Sequence, residues 1–171
     1  REAAELLTLL DEREIHGDLL LAYPLVGPAL DYLGRLASTH GSQRVSVLCE
    51  DEGRIQSIPE GLGIFIDLNS GMDRTGISVG DRDVILACAR AAQGRLAGLH
   101  HYDGHLHDAD LEQRRREIFE GYDRLVELVR DLREQGIEVG EVITAGTPAF
   151  LSALEYAPLR DLEGARHRVS P

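Results

Sequence analysis

The residues best equipped for chemistry lie in Leu99-His100-His101-Tyr102-Asp103-Gly104-His105-Leu106-His107-Asp108. This stretch holds four of the seven histidines and two aspartates, directly after an apolar run. Imidazoles and carboxylates crowded at the end of a strand are costly to desolvate unless something binds there. A metal, a cofactor or water alone could satisfy them. As metal ligands, His105 and His107 have a usable spacing, because alternate residues of an extended segment point the same way. That pair would suit a metal-dependent hydrolase built on a barrel. Against it, Gly104 pushes both histidines into a loop, and no later strand supplies another histidine except His167, which lies inside one.

Three more segments share this character. Tyr23-Pro24-Leu25-Val26-Gly27 follows a short apolar run. In Asp67-Leu68-Asn69-Ser70-Gly71-Met72-Asp73-Arg74-Thr75-Gly76, two glycines bracket Arg74, whose planar guanidinium can clamp a carboxylate or orient a phenol. Strand alternation puts Asp67 and Asn69 on one side and Leu68 on the other. In Thr144-Ala145-Gly146-Thr147-Pro148, Gly146 lets a ligand approach the backbone and Thr147 offers a hydroxyl. A helix opening at Pro148 would add free N–H groups, giving a workable phosphate cup. Taken singly, each segment has a plain explanation: a loop arginine is solvated, and a helix start needs no ligand.

These segments sit at the ends of predicted elements. Apolar runs at 18–23, 44–49, 63–68, 96–101, 141–144 and 165–169 read as strands. Helical periodicity covers 1–12, 26–38, 81–92 with Asp81 as N-cap, about 109–135, and 148–156. In the long helix Ile118, Tyr122, Leu125, Val129 and Leu132 form one apolar face, and Gly136 stops it. The connection through Gly53, Pro59 and Gly61 is too broken for a helix assignment. Alternating apolar strands and helices predict an α/β fold with a parallel sheet. No G-x-G-x-x-G follows any strand, which weakens a dinucleotide-binding sheet. The alternative is a partial (β/α)8 TIM-type barrel with about six of its eight βα units. The first two units, roughly 50–70 residues, would then be missing. In such a barrel chemistry sits where strands end, which is where all four segments fall.

Composition narrows the classes. The chain has 171 residues, 43% of them hydrophobic, and a net charge of −12, which argues against a nucleic-acid partner. No run approaches membrane-spanning length and no signal-type segment precedes the first helix. Cys49 and Cys88 lie in apolar segments and read as reduced thiols of a cytoplasmic protein. All 18 cationic residues are arginine, with no lysine. The chain opens at Arg1 within a helical pattern and stops at Pro171 just after a strand, as expected of a fragment incomplete at both ends.

Taken together, the four strand-end segments resemble one family. Phe65–Gly76 looks like the strand and Gly-Met-x-Arg-x-Gly loop of the alanine-racemase-like barrel, the fold-type III pyridoxal-phosphate enzymes. It is nearest in kind to the D-threonine aldolase and D-serine dehydratase branch, where Arg-Thr-Gly is usual. Leu99–His105 is similar to that branch's Gly-Leu-x-x-Tyr-x-Gly-His strand, and Leu21–Gly27 and the Ala-Gly-Thr-Pro turn match in kind and order. The resemblance covers nearly the whole chain, here as one domain over 1–171. It implies a pyridoxal 5′-phosphate lyase acting on a D-amino acid, with a racemase of the same fold as the alternative. Arg74 would be the catalytic residue beside cofactor or substrate. Tyr102 would reach the cofactor, with His105 in support, Gly146 and Thr147 at its phosphate, and Ser170 near its pyridine nitrogen. The resemblance also implies a homodimer in the complete enzyme, and a zinc or manganese ion held by a β-rich domain that has no counterpart in this chain. One departure matters most: the family's Schiff-base lysine has no counterpart here, so this chain alone is expected to be inactive.

Overall fold

The computed structural model describes residues 1–170. The strands are β1 (Asp18–Leu21), β2 (Arg44–Cys49), β3 (Gly63–Asn69), β4 (Ile77–Ser78), β5 (Leu96–Tyr102), β6 (Glu141–Thr144) and β7 (Arg166–Val169). The helices are α1 (Glu2–Glu12), α2 (Pro28–Thr39), α3 (Glu52–Ile55), α4 (Arg82–Ala91), α5 (Leu111–Glu134), α6 (Phe150–Glu155) and α7 (Ala157–Arg160). All strand pairs are parallel, in the order β1-β2-β3-β5-β6-β7, with the two-residue β4 pairing beside the end of β3. The sheet curls into a half-barrel. Its two edges face each other closely enough for Arg168 Nη2 of β7 to donate to Asp18 Oδ2 of β1 at 2.5 Å.

Differences from the periodicity are local. β1 ends at Leu21, ahead of Pro24, and α2 starts at Pro28 after Gly27 turns the chain at φ +55°. The broken connection after β2 does hold one helical turn, α3, because Asp51 caps it by accepting from the Gly53 N–H at 2.8 Å. Asp81 occupies the N-cap position of α4, but its carboxylate makes no capping bond. The predicted helix 148–156 splits into a 3-10 turn, Thr147–Ala149, followed by α6 and then α7, which opens with Pro158 in its first turn.

The sheet has an outer face under the helices and an inner, concave face. Val45, Val47, Cys49, Ile64, Ile66, Leu68, Leu99 and Val142 point outward into one core with the buried faces of α4 and α5. The inner face carries the residues between them, among them Phe65, Asp67, His100, Tyr102 and Glu141. Which residues of β5 face inward depends on an irregularity. Ile64 pairs with Leu96, but its neighbour Phe65 pairs with Gly98, so Ala97 is an extra residue. Such a bulge reverses the facing of everything beyond it.

Candidate active site

Tyr102, the last residue of β5, is the centre of the arrangement. The Arg74 guanidinium lies over its ring at 4.9 Å from the centroid, and Arg74 has no carboxylate partner among the described residues. Backbone closes in on the ring elsewhere. A Cβ on Gly146 would lie 2.9 Å from the Tyr102 ring and 2.9 Å from the Cα of Gly104. A Cβ on Gly104 would collide with the tyrosine outright, at 2.3 Å from its hydroxyl oxygen. Both glycines are therefore required by close approach. At Gly146, where φ is −125°, the constraint is purely steric. Gly146→Ala should displace the Tyr102 ring, moving its aromatic NMR resonances, and destabilise the chain by about 1–3 kcal/mol. Wild-type resonances at wild-type stability would mean that the ring has room to spare.

The Arg74 loop is shaped by side chains that precede it. Asn69 Oδ1 accepts from the N–H groups of Gly71 (2.9 Å) and Asp73 (3.1 Å), and its Nδ2 donates to Asp73 Oδ1 at 2.9 Å. These bonds hold Asp73 at φ +54°, a conformation that short polar side chains tolerate. Glu50, just beyond β2, accepts from the Gly76 N–H at 2.5 Å and anchors the far end of the loop. The Ser70 hydroxyl donates to the Tyr102 carbonyl at 2.5 Å, joining the loop to β5. His105 packs on the same loop: its Nε2 lies 3.2 Å from where a Gly71 Cβ would stand, and its buried Nδ1 has no partner.

Below Tyr102 on the inner face, His100 Nδ1 and Asp67 Oδ1 are 2.7 Å apart, in register across β3 and β5. Asp67 is 2% exposed and its Oδ2 is buried without a partner. The family resemblance gives His100 no role, and the aspartate on the neighbouring strand makes it part of a polar pair. On the outer face, His101 packs edge-on against Tyr122 of α5 at 5.8 Å between centroids. Burial pulls its pKa from 6.5 down to about 4. Asp103, also outward and fully buried, accepts from the Tyr122 hydroxyl at 2.7 Å and from the Gly146 N–H at 2.9 Å. Burial pushes its carboxyl up, and those two bonds pull it part of the way back.

The structure thus brings Arg74, Tyr102 and Gly146 into one stack, with His105 beside the Arg74 loop. Thr147, exposed, and Ser170, whose N–H donates to the Thr144 carbonyl at 2.9 Å, lie at the same end of the sheet. No hydrogen bond joins Thr147 to Ser170, and Pro171 lies outside the described residues. The phosphate cup differs from expectation in two respects. The Gly146 N–H is already donated to Asp103, and the following helix is a single 3-10 turn whose Ala149 N–H returns to the Gly146 carbonyl. His105 is half-buried and His107 exposed, and no three His, Cys, Asp or Glu side chains converge among the described residues. A hollow of about 700 Å³ opens at the opposite end of the strands. Among the charges lining it, Asp18, Arg44, Glu141 and Arg168 are already paired with one another. Glu50 lies outside the four strand-end segments, while Asp67, His100 and Asp103 lie within them but gain no individual role from type or spacing. Asp103 stood inside the histidine stretch, and a strand-end acidic residue beside a glycine was the one available signal.

A barrel-type sheet with its polar residues gathered at the strand ends defines a class of protein, and sequence comparison assigns the family. Residues 43–163 match the model of the alanine racemase N-terminal domain, and the chain belongs to this family. Among solved structures it is similar to D-threonine aldolase from Filomicrobium marinum, with 22% identity and a TM-score of 0.76 over 98% of this chain and 46% of that one. It is also similar to D-threo-3-hydroxyaspartate dehydratase from Delftia sp. HT23, with 19% identity and a TM-score of 0.72 over 88% and 40%. Alanine racemase from Bacillus anthracis follows with 16% identity and a TM-score of 0.60 over 95% and 40%. At these identities the likeness is one of fold, and the partial TIM-type barrel read from the strand–helix alternation is borne out. The chain spans less than half the length of these structures. No curated protein sequence matches it. Among the described residues, no helix is long and apolar enough to cross a membrane.

Proposed function

We propose that these residues form the cofactor-holding half of a pyridoxal 5′-phosphate enzyme acting on D-amino acids, a lyase of the aldolase or dehydratase kind. The stack of Arg74 on Tyr102, closed in by Gly104 and Gly146, carries the reading. A flat aromatic face beside an unpaired guanidinium suits a planar, anionic ligand. Family membership at residues 43–163 and the likeness to an aldolase and a dehydratase support it. A racemase on the same barrel is the second reading, favoured by the likeness to alanine racemase.

The residues present fit the non-covalent part of such a site. Tyr102 would back the ring, Arg74 would pair with its oxygen substituent or a substrate carboxylate, Thr147 would meet the phosphate, and Ser170 would stand near the pyridine nitrogen. When bound, the cofactor supplies an electron sink for charge developing at the substrate Cα. The protein's part is orientation and electrostatics. Arg74 places positive charge at the open side of the stack. Asp67 holds the His100 ring, leaving Nε2 as the atom able to take or give a proton on the inner face. The covalent part does not fit, since the chain offers no lysine amine. The amine would come from outside these 171 residues. A metal, where the complete enzyme uses one, would be held by residues elsewhere, and the complete enzyme would work as a homodimer on a small D-amino acid.

Extension of the chain at its N-terminus to include a lysine-bearing strand tests this. The extended protein should hold the cofactor covalently and absorb visible light, whereas the 171-residue chain, which has no lysine, should hold it only non-covalently and without that band. A colourless protein that instead retains zinc would make the hydrolase reading correct. In the extended protein Arg74→Ala should lower turnover about 100-fold, as loss of one preorganised electrostatic contact does. Its stability should change by no more than about 1 kcal/mol, because the exposed side chain makes only a cation–π contact. Equal loss of stability and turnover would make Arg74 structural.

A further inference from the structure

Asp103 has no place in the chemistry just described, yet it is the best-connected carboxylate at the site. It is 0% exposed, and each of its oxygens is committed to a different element. Oδ2 accepts from the Tyr122 hydroxyl, in the middle of α5, and Oδ1 accepts from the N–H of Gly146, in the turn after β6. Its own backbone follows Tyr102 directly. One side chain therefore ties together the strand tip that presents the aromatic ring, the helix behind it and the turn beside it. The turn needs this tie, because Ala145 stands at φ +81°, a backbone region that L-residues adopt only under constraint from their surroundings.

We infer that Asp103 is a positioning residue for the phosphate end of the ligand. Resting on the cofactor reading above, the inference adds a division of labour within the turn. The Gly146 N–H is spent on Asp103 and never meets the ligand. It fixes the turn so that Thr147, exposed and with an N–H that nothing accepts among the described residues, is the group aimed at a phosphate monoester. The van der Waals fit of Gly146 against the Tyr102 ring then fixes the distance between the phosphate end and the ring end of the ligand. Asp103 thereby acts through Gly146 and Thr147 on phosphate affinity and leaves recognition of the ring to Tyr102 and Arg74.

Amide NMR on the 171-residue chain tests the inference, with inorganic phosphate, pyridoxine 5′-phosphate and pyridoxine as probes; pyridoxine lacks both the phosphate and a reactive aldehyde. In the wild type, phosphate and pyridoxine 5′-phosphate should shift the amide of Thr147, while the Gly146 amide stays protected from hydrogen exchange. Asp103→Ala should speed exchange at Gly146 at least tenfold and weaken pyridoxine 5′-phosphate about tenfold, with pyridoxine unchanged. Asp103→Asn keeps an oxygen for Gly146 and removes a buried negative charge. It should restore Gly146 protection and bind the phosphate probe at least as tightly as wild type. If Asp103→Ala fails to fold, Tyr122→Phe, which frees the other carboxylate oxygen, should weaken the phosphate probe by a few-fold and leave pyridoxine alone. The inference is overturned if Asp103→Ala or Tyr122→Phe lowers affinity for both pyridoxine probes equally, or for neither. A phosphate-induced loss of Gly146 protection in the wild type would also overturn it. Failure of the wild type to bind any of the three probes would instead overturn the cofactor reading and take the inference with it.

Discussion

Gly98→Ala should leave the chain unable to fold, or destabilise it by about 3 kcal/mol or more, the upper end of what overpacking costs. Gly98 sits where β5 runs against β6, paired with Glu141. A Cβ there would lie 2.0 Å from the Glu141 carbonyl oxygen, 2.7 Å from its carbonyl carbon and 2.9 Å from the Phe65 ring. Two of the three obstacles are backbone, so no rotamer change relieves them. The strands would have to separate at a point that also sets the level of His100 and Tyr102 against Ile143 and the turn at Gly146. Since domains are stable by only about 5–15 kcal/mol, a loss of this size is visible in denaturant unfolding. Gly41→Ala is the control: a Cβ there meets nothing within 4 Å, and the change should stay within about 0.5 kcal/mol. A folded Gly98→Ala protein of wild-type stability would show that β5 and β6 are not held at this distance.

Acid should destabilise the protein through His101. The unfolded histidine titrates near 6.5, while burial holds the folded one down to about 4. Below pH 6.5 the unfolded chain therefore binds a proton that the native state refuses. Stability present above pH 6.5 is lost as the pH falls, and the loss is complete below about pH 4. The shift corresponds to about 3 kcal/mol. Neighbouring charges act in the same direction, for His100, His105 and Arg124 all oppose a positive charge there, while a hydrogen bond to the residue's own backbone offsets part of the shift. Asp103 works the other way, because its raised carboxyl recovers stability as it protonates. Comparison with His101→Gln isolates the histidine: unfolding measured at pH 7 and at pH 4 should differ by about 3 kcal/mol less in the variant. Equal pH dependence in the two proteins would refute the assignment.

The two results bear on the same strand, and β5 shows where sequence reasoning stops. The chain order of strands and helices was readable from apolar periodicity, because a parallel sheet under helices needs continuous apolar strands and amphipathic helices whatever their neighbours. Placement of the chemistry at strand ends followed from the same pattern. So did the weight given to Arg74, Tyr102 and Gly146, through glycines and a planar cation that have few other uses at such points. The absence of lysine was plain from composition.

Partnership was not readable. His100, His101, Tyr102 and Asp103 are four consecutive polar residues, and alternation alone leaves both ways of facing them open. The extra residue at Ala97 decides that His100 and Tyr102 look into the half-barrel and that His101 and Asp103 look under α5. A one-residue shift in pairing is a property of two strands packed together, so neither strand's sequence contains it. The same holds for the bonds that complete the site. His100 with Asp67, Glu50 with Gly76, and Asp103 with Gly146 are separated by 33, 26 and 43 residues. Each depends on which strand ends lie side by side. The sequence by itself determined the elements, the end of the sheet where chemistry gathers and the family of barrel. Only the tertiary structure decided which polar group meets which, because a hydrogen bond needs its partners within about 3 Å and that distance is set by packing.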